Sequence, residues 1–289
     1  MAYQNFIPTV WNEGIERELE RLCVFAEDCN RKYEGAVKNK GESVTILGVG
    51  KPTIKSIAKA ERSNDIDGPE EIEDTSVIMY INQVRYFNYM IGDIDKAQAV
   101  GGVMDALEAE TSEALADEID KYIAGMAVDP SVKALYGTAP IKAISGTASD
   151  TTEKNVLHIL DEAIQALYEN DVKGSTEIVV TVSPRFFTRF KQAYITKDTD
   201  NSEMMKNGKG TKYGNVTVKM SNNVHKTSND AVDNIMIRTK RAIAFAKPLT
   251  HTEPYRPEKK FADAVKGFIL FDAKVVRPKE VININVKYA

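Results

Sequence analysis

Apolar residues recur at spacings of three and four over residues 13–29, where Ile15, Leu19, Leu22 and Ala26 line one stripe. That period predicts an amphipathic helix. Ahead of it, Phe6, Ile7, Val10 and Trp11 surround Pro8. An N-terminal stretch this apolar needs a surface to lie on, its own core or a neighbouring chain. After Lys40-Gly41-Glu42 the chain turns into a β-like run from 43 to 47, with Val44 and Ile46 on one face. Residues 48–73 then read as a long loop. They hold Lys51-Pro52, Ser63-Asn64-Asp65 and Asp67-Gly68-Pro69, with few large apolar side chains. So long a loop within a compact domain is expected only where it has a function.

Residues 75–91 are β-branched and aromatic, with Val77, Ile78, Tyr80, Ile81, Val84, Tyr86, Phe87 and Tyr89. As one strand of roughly 15 residues they would reach about 50 Å, which suits an extended plate better than a compact enzyme. Residues 101–128 predict a helix of roughly 40 Å. Its buried stripe is Val103, Leu107, Ala114, Leu115, Ile119, Tyr122, Ile123 and Met126, and Asp129-Pro130 ends it. A third helix is expected to start from a cap within Ser149–Thr152 and to run through Val156, Leu160, Ile164 and Leu167. Residues 177–183 predict a strand and Pro184 opens a short helix. The remainder is β with loops, at 215–220, 234–238, 242–246, 267–276 and 281–286. The class is α+β.

Composition is ordinary for a globular chain of 289 residues, 43% hydrophobic and 28% charged. No run approaches the roughly 20 apolar residues of a membrane span. The N-terminus lacks a basic region followed by a hydrophobic stretch, so synthesis in a cytoplasm without a secretion signal is expected. Charge is uneven: residues 1–172 hold 16 Lys/Arg against 31 Asp/Glu, and residues 173–289 hold 22 against 11. The cations are scattered singly, with no aromatic platform among them, which argues against specific nucleic-acid recognition. Opposite halves suit a surface that meets another copy of itself. Cys23 and Cys29 would lie about 9 Å apart along a helix, too far to bridge, and both are expected as free packing residues.

Catalytic patterns fail on inspection. Gly48-Val49-Gly50-Lys51-Pro52 glances at a phosphate loop, but Thr45 stands where the first glycine belongs and Pro52 where a hydroxyl must hold magnesium. Ser63, Asp65, Asp67, Gly68 and Asp74 mimic a calcium loop that lacks its first Asp and closing Glu. Asp105, Glu108, Glu110, Glu113, Asp117, Glu118 and Asp120 make the long helix acidic, but no histidine accompanies them, and they are expected to fan over its polar face. His158 and Glu162 stand one turn apart and could clip a metal; His225 and His251 lie in loop-like sequence. The expectation is therefore a protein that is not an enzyme, with no catalytic, cofactor-binding or metal residues. An acid-rich metal-dependent hydrolase is the reading from a different class.

Several stretches, in this order, resemble the major capsid proteins of tailed bacteriophages, which share the Hong Kong 97-type fold. They are Phe6-Ile7-Pro8 with Trp11, Tyr33-Glu34-Gly35 through Lys40–Ile46, Asp93–Gln98 before the long helix, Val182-Ser183-Pro184-Arg185-Phe186, and Val275-Val276-Arg277-Pro278. The resemblance spans essentially the whole chain. It implies an N-terminal arm and first helix over 1–40, and an extended β-loop with long strands over 41–92. A peripheral domain with a spine helix would occupy 93–148, a mainly axial domain 149–266, and closing strands 267–289. It implies a virion protein that self-assembles into pentamers and hexamers of an icosahedral head. Further partners would be a separate scaffolding protein, a portal and non-specifically contacted double-stranded DNA. Phe6 and Trp11 of the arm and Lys51, Lys55, Lys59 and Arg62 of the loop are the candidate inter-subunit contacts. The alternative within the same fold is an encapsulin-type nanocompartment shell.

Overall fold

The computed structural model describes residues 22–33, 43–49, 53–57, 68, 74–92, 103–148, 150–195, 212–227 and 231–288. Strand β1 (Ser43–Val49) pairs antiparallel with β2 (Asp74–Tyr80), and β3 (Gln83–Gly92) follows. Helix α1 (Val103–Gly125) comes next and ends in a 3-10 turn over Met126–Val128. Strands β4 (Lys133–Leu135), β5 (Ile141–Ile144) and β6 (Glu153–Asn155) lead to helix α2 (Val156–Glu169). Strand β7 (Ile178–Val182) precedes helix α3 (Pro184–Ile195). The chain then forms β8 (Lys212–Tyr213), β9 (Val216–Met220), β10 (Lys226–Thr227) and β11 (Val232–Thr239). It closes with β12 (Ile243–Tyr255), β13 (Ala262–Val275) and β14 (Val281–Lys287).

The largest sheet runs β6-β5-β14-β11-β7-β9-β8, with β4 beside β14 and β10 beside β11. It is mixed: β7 lies antiparallel to β11 and parallel to β9. Its central strands are buried on both faces: β7 is apolar but for Thr181, and β14 buries Asn283 among Val281, Ile282, Ile284 and Val286. The two faces of β11 feed two cores. Ile235 and Ile237 pack with α2 and α3, while Met236 joins α1. A three-stranded sheet, β12-β13-β3, lies against α1 through Phe271 and Ile269. A third, smaller core seats Val44, Ile46, Met79 and Ile81 on Ala244 and Ala246, at the root of the β1–β2 hairpin.

Four expectations are corrected. The apolar run at 75–91 is two strands, because Ile81 is buried and the Asn82 amide donates to Asp272 at 3.2 Å, which turns the chain between sheets. The helix expected through residue 29 has ended by Cys23: the amides of Val24, Phe25 and Ala26 donate to Asp120 rather than to carbonyls four residues back, and Ala26–Asp28 forms a 3-10 turn. The cap of α2 is Asn155, whose Oδ1 accepts from the Leu157 amide at 2.9 Å; residues 153–155 are spent in β6. In α1 the polar and apolar faces are each off by one member. Ala114 is exposed, and Asp120 is 1% exposed.

Candidate functional site

Three features bear on what this fold can do: a buried anchor for the N-terminal segment, a clamped hairpin root, and an exposed apolar strip.

The anchor joins three parts of the chain far apart in sequence. Asp120 Oδ2 accepts from the Val24 amide at 2.7 Å, and Oδ1 from Phe25 at 3.0 Å and Ala26 at 3.3 Å. Arg238, 1% exposed on β11, donates to the Phe25 carbonyl at 2.8 Å and lies over the Phe25 ring, 5.6 Å from its centre. Burial pushes the Asp120 carboxyl up, against the pull of those amides and of Arg238. Burial likewise raises the Cys29 thiol, and Cys23 and Cys29 are both buried and free. Lys219 closes the far side, 2.7 Å from the buried Asp28 carboxylate and 2.6 Å from Glu27. Hydrogen bonds to charged groups contribute about 1.5–3 kcal/mol each. Residues 24–26 are thus held at one fixed point on the body.

The hairpin root is clamped in a similar way. Asp272 accepts from the Tyr122 hydroxyl at 2.7 Å and from the Asn82 amide, and Lys274 donates to the Ile78 carbonyl at 2.7 Å. Burial, and then the Asp272 hydrogen bond, push the Tyr122 phenol up. Helix α1 and β13 together therefore fix the direction in which β1 and β2 leave the molecule.

The apolar strip is the outer face of β3. Its residues alternate, with Gln83, Arg85, Phe87 and Tyr89 turned inward over α1. Val84, Tyr86 and Met90 point out, 50%, 81% and 50% exposed. Arg85 reaches Glu118 of α1 at 3.4 Å. On α1 itself, Glu110, Glu113 and Asp117 are exposed.

The described residues contain no group of three or more side chains that could hold a metal ion. His158 does meet Glu162, at 3.1 Å, but Lys154 and Tyr136 share that carboxylate. Of the residues singled out as inter-subunit contacts, Lys55 is exposed; Phe6, Trp11, Lys51, Lys59 and Arg62 lie outside the described residues. The anchor pair Asp120 and Arg238 was missed; the cation following Ile235, Met236 and Ile237 in β11 was its one signal in the sequence.

No protein-family model matches the chain, and no curated protein matches it. Solved structures do. One from Mycobacterium phage Che8 aligns over 90% of each chain with a TM-score of 0.72 and 27% identity. The capsid of cyanophage P-SCSP1u aligns over 86% of this chain and 85% of its own, with a TM-score of 0.65 and 14% identity. The fold is that of the tailed-phage major capsid proteins. A virus-like particle from Pyrococcus furiosus has the same fold at 9% identity and a TM-score of 0.59, over 97% and 99% of the two chains.

Proposed function

We propose that this chain is the major capsid protein of a tailed phage, forming pentamers and hexamers of an icosahedral head around double-stranded DNA. The observation that carries this is the match to the Che8 structure over 90% of each chain. Its work is assembly, not catalysis. Helix α1 with the β12-β13-β3 sheet serves as the peripheral part, and the nine-stranded sheet with α2 and α3 as the axial part. The hairpin β1–β2 and the arm ahead of Leu22 reach neighbouring subunits. Phe6, Trp11, Lys51, Lys55, Lys59 and Arg62 make contacts there, the cations against acidic side chains such as those of α1. A scaffolding protein and a portal complete the head, and DNA is met without sequence specificity.

Electron microscopy of the expressed protein, alone and with its scaffold, tests this reading. Closed icosahedral particles are expected. A monomer at every concentration with scaffold supplied overturns it. The full-length match to the Pyrococcus virus-like particle supports a nanocompartment shell as the second reading. Particle contents separate the two: packaged DNA for a phage head, a cargo protein for a compartment.

A further inference from the structure

The segment that follows helix α1 crosses from one core to the other within a few residues. Val132 is buried with α1, whereas Leu135 and Tyr136 pack against the core of α2 and α3. Between them β4 pairs with β14, and β5 takes up the same edge further along. Leu135 lies opposite Ile284 and Ile141 opposite Val286, so β14 advances two residues where its partner advances six. Residues 136–140 are therefore looped out of the ladder, with Gly137, Thr138 and Ala139 exposed. Strand β4 itself is three residues long and, among the described residues, is paired on one side only.

Tyr136 opens that loop with φ at +60°. Among the described residues the other positive φ values belong to Asp171 and Gly214, residue types that tolerate the left-handed region. A bulky aromatic does not, because its Cβ crowds the following carbonyl oxygen. Its side chain shows what holds it there. The Tyr136 hydroxyl donates to Glu162 of α2, and Lys154 at β6 donates to the other oxygen of the same carboxylate. Lys154 Nζ also lies 3.3 Å from that hydroxyl and 5.0 Å from the centre of the ring. His158 reaches Glu162 at 3.1 Å. Strain at residue 136 is thus opposed by contacts to two other elements, with one carboxylate at their centre.

We propose that Tyr136 is a strained latch: residues 133–140 form a strap that Glu162 holds shut and that opens as a unit when the Tyr136 hydroxyl lets go. The device belongs to the single subunit and does not depend on the capsid reading. Closed, the strap ties the end of α1 to α2 across the two cores. Opened, residue 136 relaxes to negative φ, β4 leaves β14, and the turn at Met126–Val128 is free to shift against α2 with neither core unfolded. A short strand with one partner and an exposed loop is the kind of segment that opens well below the cost of global unfolding. The carboxylate and ammonium that hold it are each 28% exposed, so water competes for the same contacts.

Native-state hydrogen exchange on the unassembled subunit gives the test. The amides of β4 should exchange through a local opening, ahead of those of β7. Tyr136→Phe keeps the strained ring and removes the hydroxyl, so it should speed the β4 amides roughly tenfold or more and leave β7 unchanged. Glycine and alanine at the same position separate strain from packing. Tyr136→Gly enters the left-handed region without steric cost, so its β4 amides should exchange about fivefold more slowly than those of Tyr136→Ala. At a position of ordinary φ that order reverses, because glycine is the looser residue. Equal acceleration of β4 and β7 by Tyr136→Phe would overturn the latch, since the contact would then support the whole fold. Unchanged β4 exchange in Tyr136→Phe would overturn it too, as would β4 protection in Tyr136→Ala that equals or exceeds that in Tyr136→Gly. None of these outcomes touches the capsid reading, which electron microscopy decides separately.

Discussion

The Phe25 amide donates to the carboxylate of Asp120 at 3.0 Å, across 95 positions of sequence. Val24 and Ala26 use the same carboxylate, so one side chain of the long helix replaces a turn's worth of helical acceptors. Asp120→Ala is expected to leave three amides unanswered and Arg238 without its buried counter-charge. The cost should be about 3 kcal/mol or more in urea unfolding of the subunit. Asp120→Asn, which keeps an acceptor but not the charge, should fall between the two. If Asp120→Ala unfolds like the wild type, the anchor contributes nothing to stability.

Two carboxyls should bend the pH dependence of stability in opposite directions. Burial raises Glu280, but Arg241, Thr239 and Arg277 outweigh it and hold the group below the usual carboxylate range. A depressed folded pKa gives stability that is present above the unfolded value and lost as pH falls through the folded one. Asp120 is raised, so its native form takes up a proton before the unfolded chain does, and that uptake favours the folded state as pH drops through the upper carboxylate range. Glu280→Gln should therefore flatten the acid limb of a melting-temperature profile. Asp120→Asn should steepen it. Identical profiles for all three proteins would contradict both assignments.

Gly267 is fixed by a close approach. A Cβ there would run into the Phe87 ring at Cζ and lie 2.8 Å from the His251 carbonyl oxygen. The ring of Phe87 can shift; the carbonyl, held in the β12–β13 ladder, cannot. Gly267→Ala should cost about 1–3 kcal/mol by denaturant titration. Adding Phe87→Leu should recover only part of it, and full recovery would show that the ring alone sets the limit.

Much of this fold was legible from residue pattern, and the misses share a cause. The period of α1 showed in Leu115, Ile119 and Ile123, and Pro184 marked the start of α3, because local rules decide those features. The break at Ile81-Asn82 did not show. Both flanking runs are good strand sequence, and the turn is imposed by Asp272, 190 positions away. The same holds for residues 24–26, which continue a helical stripe until Asp120 takes their amides. Long-range carboxylates override local propensity, and a single sequence carries no trace of which carboxylate that is. Of the candidate contact residues, Lys55 is exposed and the other five lie outside the described residues. The outward face of β3 was hidden inside what read as one uniform strand.

The last prediction concerns Ile54. It is 94% exposed, and Ile57 nearby is 49% exposed, in a stretch where every described residue from 53 to 57 faces solvent. Ile54 so placed contributes almost no burial to the isolated subunit, so substituting it should cost little. Exposed sites away from caps and networks stay within about 0.5 kcal/mol of the parent. In a shell, the same side chains would leave water against a neighbour, each contributing about 1.5–3 kcal/mol if fully covered. Ile54→Asp replaces that gain with the desolvation of a carboxylate beside the acidic side of α1. The subunit's thermal unfolding should be unchanged, while light scattering should report assembly arrested at small oligomers. Lys55→Glu, which reverses one charge and buries nothing, should shift assembly in the same direction but be rescued in part by added salt, since surface charge is screened within about 10 Å at 0.1 M. Wild-type assembly by Ile54→Asp would remove this segment from the interface. A loss of thermal stability in the isolated subunit would place Ile54 against its own chain instead.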